Sequence, residues 1–115
     1  MPAAQRSRIL LLGSQGMGSG HEALGFTILG NFLKTLIGNP LRPEKIVCWN
    51  AGVKLLTEDS PVVGTLQDLE GVGVEILACK TCVEHFGLQG SLRAGEISTM
   101  PIITDLLLRS EVLTV

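Results

Sequence analysis

At 115 residues the chain is long enough for one compact domain with one core and too short for two. A formal net charge of −2, no cluster of Lys or Arg, no Tyr, one Trp and three Phe exclude both a basic nucleic-acid footprint and a base-stacking platform. Hydrophobic residues make up 45% of the chain against 17% charged, so some apolar surface is expected to be covered by further subunits.

The opening segment carries two arginines and then only Ile9–Leu12 before polar residues resume. A secretory signal needs an apolar stretch of about 7–15 residues, and a membrane span needs about 20. A cytoplasmic location is therefore expected, with no structural disulfide. Three cysteines, an odd number, agree with that.

Residues 8–12, RILLL, form a short apolar run ending at Gly13, the pattern of a buried parallel strand. The loop GSQGMGSGH follows. Residues 22–37 then show helical spacing, with Ala23, Phe26, Leu29, Leu33 and Leu36 on one stripe. Leu24, Ile28 and Phe32 widen that stripe beyond what one sheet face covers, which predicts a subunit contact. A Gly- and Pro-rich loop, 38–44, leads to a second strand, KIVCW (45–49), and a turn, NAG (50–52).

Ser60 with Pro61 behind it predicts a helix start, and Gly71 its end. VEILA (74–78) is a third strand that delivers the chain to Cys79. GEIS (95–98) reads as a fourth strand. A helix over 100–109 follows, with Thr99 as its cap and Pro101 in the first turn. EVLTV (111–115) reads as the last strand. Alternating strands and helices predict an α/β fold, a mainly parallel sheet of about five strands covered on both sides. In such sheets, sites form beyond the carboxyl ends of the strands. Ser14–Gly20, Asn50–Gly52 and Cys79–Cys82 are all expected there.

Cys79-Lys80-Thr81-Cys82 is the most chemically loaded stretch. Haem attachment would need His directly after the second cysteine, and position 83 is Val. A structural zinc site needs about four donors; Cys79, Cys82 and His85 are three. No metal and no cofactor are therefore expected. A dithiol redox pair and a persulfide carrier both remain open, because a helix start and the neighbouring Lys80 favour a thiolate. Two buried core cysteines are the plain alternative. Cys48, between Val47 and Trp49 inside a strand, is expected in the core.

The loop carrying Ser14, Gly16, Met17 and Gly18 matches neither the Walker A pattern nor the dinucleotide fingerprint. Its N–H groups would suit a small anion or nucleotide, or its glycines serve a tight turn only. His21 and Glu22 are expected at a solvated helix start. Asn50 and Gly52 are expected either to close a turn or to line the site, and His85 to share a helical face with Cys82.

LLLGSQGMGSG, WNAGVKLLTEDSPV, GVEILACKTC with FGL, and GEIS occur in that order over nearly the whole chain. Together they resemble the DsrE/DsrF-like family, and within it the C-terminal domains of YedF-type, selenium-metabolism-associated proteins. The resemblance implies a flavodoxin-like three-layer α/β/α sandwich formed by a single domain over residues 1–115. It also implies homo-oligomers and sulfur relay through a cysteine persulfide. Cys79, eight residues before Gly87, matches the reactive position, with Cys82 as its resolving partner. His85-Phe86 stand where many relatives carry an arginine before the glycine. A TusA-like domain usually precedes the YedF domain, so a separate TusA-like protein supplies sulfur or the domain works alone. The expectation is a sulfur or selenium carrier with donor and acceptor proteins as partners. Whether it acts as a true enzyme stays open.

Overall fold

The computed structural model describes residues 7–115. The first six residues, read above with the opening segment, lie outside the described residues. The elements are β1 (Arg8–Leu12), α1 (Glu22–Ile37), β2 (Lys45–Cys48), a 3₁₀ segment (Asn50–Leu56) and α2 (Val63–Gly71). They continue with β3 (Glu75–Cys79), α3 (Lys80–His85), β4 (Glu96–Ser98), α4 (Met100–Leu108) and β5 (Glu111–Thr114).

All five strands are parallel, in the order β4-β3-β2-β1-β5. This is an α/β fold with helices on both sheet faces. Its strand order, 4-3-2-1-5, differs from the 2-1-3-4-5 order of flavodoxin itself. From β1 to β4 the chain steps in one direction across the sheet, and from β4 it returns past all of them to β5. Right-handed crossovers then place the first three connections on one face and the returning α4 on the other.

The burial follows that division. Leu10, Leu12, Ile46, Cys48, Ile76 and Ala78 face a core built with Leu29 and Leu33 of α1, Leu55 and Leu56 of the 3₁₀ segment, Leu66 and Leu69 of α2 and Val83 of α3. The alternate residues Ile9, Leu11, Val47, Leu77 and Cys79 face α4, which contributes the fully buried Ile103. Period-two alternation along each strand produces both cores. Each fully buried Leu or Ile contributes on the order of 1.5–3 kcal/mol relative to exposure.

The local signals act as expected at most ends. His21 occupies the N-cap of α1, where its Nδ1 accepts the Leu24 N–H at 3.1 Å. Pro101 sits in the first turn of α4, although Thr99 caps it without a side-chain bond. Ser60 acts two residues early: its Oγ accepts from Val62 N–H at 3.2 Å, and α2 begins only at Val63. The turn expected at 50–52 is longer than read, continuing as 3₁₀ helix to Leu56. Leu24, Phe26 and Ile28 on α1, and Met100, Ile102 and Leu108 on α4, remain exposed. No helix among the described residues is long and apolar enough to cross a membrane.

Candidate functional site

Leu12, Cys48 and Ala78 stand side by side in register, so β1, β2 and β3 end at the same level. The chain leaves β2 at Trp49 and folds back over the end of β1. Trp49 N–H donates to the Leu12 carbonyl at 3.1 Å, and Gly52 N–H donates to the Trp49 carbonyl at 3.0 Å. Gly52 is buried beneath this turn, packed against Leu12, and is a structural glycine rather than a wall of the site.

Asn50, between them, has φ +51°. Its Oδ1 accepts the Ala51 N–H at 2.8 Å, a local bond of the kind that makes Asn tolerate the left-handed region. Its own N–H donates to Cys82 Sγ at 3.0 Å.

Cys79 is the last residue of β3 and the N-cap of α3, and Cys82 lies one turn further on. Cys82 packs against the cluster that contains Cys79, so the two thiols are near enough to influence one another. Their exposure differs sharply: Cys79 is 1% exposed, whereas Cys82 is half-buried and opens into a hollow of about 230 Å³ with Asn50, Thr81, His85 and Phe86. The His85 ring meets Phe86 edge-on at 4.9 Å, and Lys54 Nζ lies 4.4 Å above the Phe86 ring. Phe86 also walls a second hollow of about 380 Å³ that includes Lys54 and Gln15, so the two concavities adjoin. Lys80 is exposed and lines neither.

Burial raises the Cys82 thiol above its ordinary value, the Asn50 N–H opposes this, and the adjoining Cys79 raises it further. Cys48 is fully buried and pushed up to about 12 by desolvation, as befits an inert core thiol. Among the described residues no cluster of three or more His, Cys, Asp or Glu is placed to hold a metal ion.

The glycine loop forms a third hollow of about 410 Å³, bordered by Ser14, Gly16, Gly18, His21 and Glu22, which meets the second at Gln15 and reaches Ala51 beside Asn50. Part of its hydrogen-bonding capacity is spent internally. Ser14 Oγ donates to the Gly16 carbonyl at 2.9 Å, and Met17 N–H donates to the Gly25 carbonyl at 3.1 Å. Met17 packs against the core instead of lining the hollow. A Cβ on Gly25 would lie 2.9 Å from the Met17 carbonyl oxygen, so the loop is clipped onto α1. The three stretches expected at the carboxyl edge are all there: Cys82 shares one hollow with Asn50, and the glycine loop borders another that Ala51 also lines. A groove of about 400 Å³ elsewhere, between α1, β1 and β5, is lined largely by apolar residues and holds no thiol.

No protein-family model matches the chain, and neither does any curated protein. Solved structures do. MTH1491, a protein of unknown function from Methanobacterium thermoautotrophicum, has a TM-score of 0.67 at 18% identity, with 95% of this chain and 99% of that one covered. The ychN protein from E. coli gives 0.68 at 15%, covering 96% and 100%. BT1422, a conserved protein of unknown function from Bacteroides thetaiotaomicron, gives 0.65 at 21%, covering 95% of each chain. The α/β fold is thus shared over essentially the whole length of all three.

Lys54, Thr81 and Phe86 belong to the site and were not singled out from the sequence. Thr81 lay inside the C-x-x-C stretch and Phe86 beside His85, so proximity was a usable signal for both. Lys54 had none, because its position depends on the 3₁₀ segment running on past Gly52.

Proposed function

We propose that this chain is a DsrE/DsrF-like sulfur carrier that takes sulfur as a persulfide on the Cys79–Cys82 pair, with Cys82 as the entry thiol. One observation carries the assignment. Cys82 is the accessible member of two adjoining thiols, and a main-chain N–H is aimed at its sulfur. This exchanges the roles that the family resemblance implies, since Cys79 faces the α4 core and a donor meets Cys82 first.

The transfer is a thiolate displacement. Cys82, as thiolate, attacks the terminal sulfur of a donor persulfide, R–S–SH. A new S–S bond forms on Cys82, and the donor leaves as R–S⁻. An acceptor thiolate then takes the same terminal sulfur and leaves Cys82 as thiolate, with no net oxidation. Alternatively, Cys79 attacks the inner sulfur of Cys82, giving a Cys79–Cys82 disulfide and HS⁻. Selenium would follow the same course. The donor is a persulfidated protein, of TusA-like type, or an inorganic polysulfide. An anion-binding role for Ser14–Gly20 has weaker support, because Glu22 borders that hollow and Ser14 and Met17 are already bonded within the fold.

The test is intact-protein mass spectrometry after incubation with polysulfide or a persulfidated donor protein, on the native chain, Cys79→Ser and Cys82→Ser. One extra sulfur on the native chain and Cys79→Ser, absent from Cys82→Ser and removed by a mild thiol, is the expected result. A folded native chain that gains no sulfur from any donor would sink the carrier function. Sulfur retained by Cys82→Ser and lost by Cys79→Ser would restore Cys79 as the acceptor.

A further inference from the structure

We infer that the main-chain N–H of Asn50 is a positioning donor for the negative charge on Cys82, present before the donor arrives. This rests on the sulfur-carrier reading for its purpose, though not for its test.

Among the described residues Asn50 is the one non-glycine with positive φ. Such a conformation costs free energy and persists where its surroundings over-determine it. Here they do so from both sides, through Trp49 N–H on the Leu12 carbonyl, Gly52 N–H on the Trp49 carbonyl, and the close seat of Gly52 on Leu12. The direction of the Asn50 N–H is therefore fixed by the end of β1, independently of Cys82.

Closing the turn fixes that direction but does not require a sulfur at its end. Asn50 is exposed, and water would satisfy its N–H at no cost. Instead the N–H points at a sulfur, a weak acceptor as a thiol and a much better one as a thiolate. The contact is worth more when Cys82 is charged than when it is neutral, which is the differential that assists attack and departure.

The other groups around Cys82 do not duplicate this. Cys79 comes from the end of β3, and its influence raises the Cys82 thiol. His85 of α3 shares the hollow, and Lys54 of the 3₁₀ segment is held over the far wall by Phe86. From α4 the packed residues are Ile103, Leu106 and Leu107. Asn50 supplies the directed contact that opposes the upward shift.

The experiment is the pH dependence of Cys82 alkylation by iodoacetamide, followed by peptide mass spectrometry on the full chain. Native protein is compared with Asn50→Val, Asn50→Gly and an amide-to-ester exchange that replaces only the position-50 N–H. Hydrogen bonds to charged groups predict an upward displacement of the midpoint by about one to two pH units in the ester, with the high-pH plateau rate kept. Asn50→Val keeps the N–H but disfavours the left-handed backbone that aims it, so its midpoint moves the same way by less. Glycine tolerates the left-handed backbone, so Asn50→Gly holds the midpoint near its native position. An unmoved midpoint in the ester, or in Asn50→Val should the ester fail to fold, would overturn the inference. Sulfur uptake with an unmoved midpoint overturns the Asn50 role alone. A moved midpoint without sulfur uptake overturns the carrier function and leaves the amide–thiolate contact standing.

Discussion

Gly52 and Leu12 approach each other more closely than any side chain would permit: a Cβ on Gly52 would stand 2.1 Å from the Leu12 carbonyl oxygen. No real Cβ contact is that short, and the obstacle is strand backbone, which cannot rotate away. Gly52→Ala is therefore expected to cost at least about 3 kcal/mol of stability, or to lift residues 49–52 off the end of β1. Urea unfolding measures the first outcome. A slowed Cys82 alkylation in a variant that still folds measures the second. A variant of native stability and native Cys82 reactivity would show that the turn is not pinned as described.

The three cysteines should react in a set order. In the native state iodoacetamide labels Cys82 first, and Cys79 and Cys48 at least roughly tenfold more slowly, because they become accessible only through opening of the structure. Peptide mass spectrometry over a time course separates the three. Equal rates for Cys79 and Cys82 would mean that α4 does not shield Cys79 in solution.

Cys48 makes the fold sensitive to alkali. Its thiol is raised from 9.0 to about 12, so between those values the native state holds a proton that the unfolded chain has lost. The unfolded state then binds fewer protons, and stability falls as pH rises, by up to about 1.4 kcal/mol for each pH unit from this group. The contribution is complete below pH 9. Cys48→Ala creates a small cavity but removes this slope. Chemical denaturation at pH 8, 9.5 and 10.5 on both proteins checks it, and parallel curves for the two would refute it.

The exposed apolar residues of α1 predict self-association. Leu24 and Ile28 are four residues apart and so share a helical face, and both are exposed, with Phe26 nearby. Light scattering after size exclusion should give a mass that is a multiple of 12.2 kDa. Leu24→Glu with Ile28→Glu should lower it while leaving the melting temperature of the protomer nearly unchanged. A native monomer at tens of micromolar would remove the prediction.

Much of the fold was legible because its signals are local. RILLL, KIVCW and VEILA are short apolar runs, and they became β1, β2 and β3, with β2 ending one residue earlier, at Cys48, and β3 shifted one residue on to Glu75–Cys79. The stripe through Leu29, Leu33 and Leu36 became the buried side of α1. Cys48 was legible as core from its neighbours alone. What misled was position taken without alternation. Cys79 looks like a loop residue because it follows the apolar run, yet it lies two residues after Leu77 and so shares its face of the sheet. The arrangement of the hollows was illegible for a different reason. It depends on where the 3₁₀ segment crosses the end of β1, and that is decided by contacts between residues some forty positions apart in sequence.

The strand order also dictates the timing of assembly. β2 can join β1 once residues 45–48 exist, and β3 and β4 extend the sheet in the same direction as synthesis proceeds. The other side of β1 waits for residues 111–114, about a hundred residues after its own. Until then Arg8–Leu12 presents an open row of N–H and C=O groups, and Ile9 and Leu11 stay uncovered until α4, residues 100–108, has been made. The nascent chain is therefore most prone to mispairing just before its last strand emerges, and β1, the first strand made, is the last to be closed.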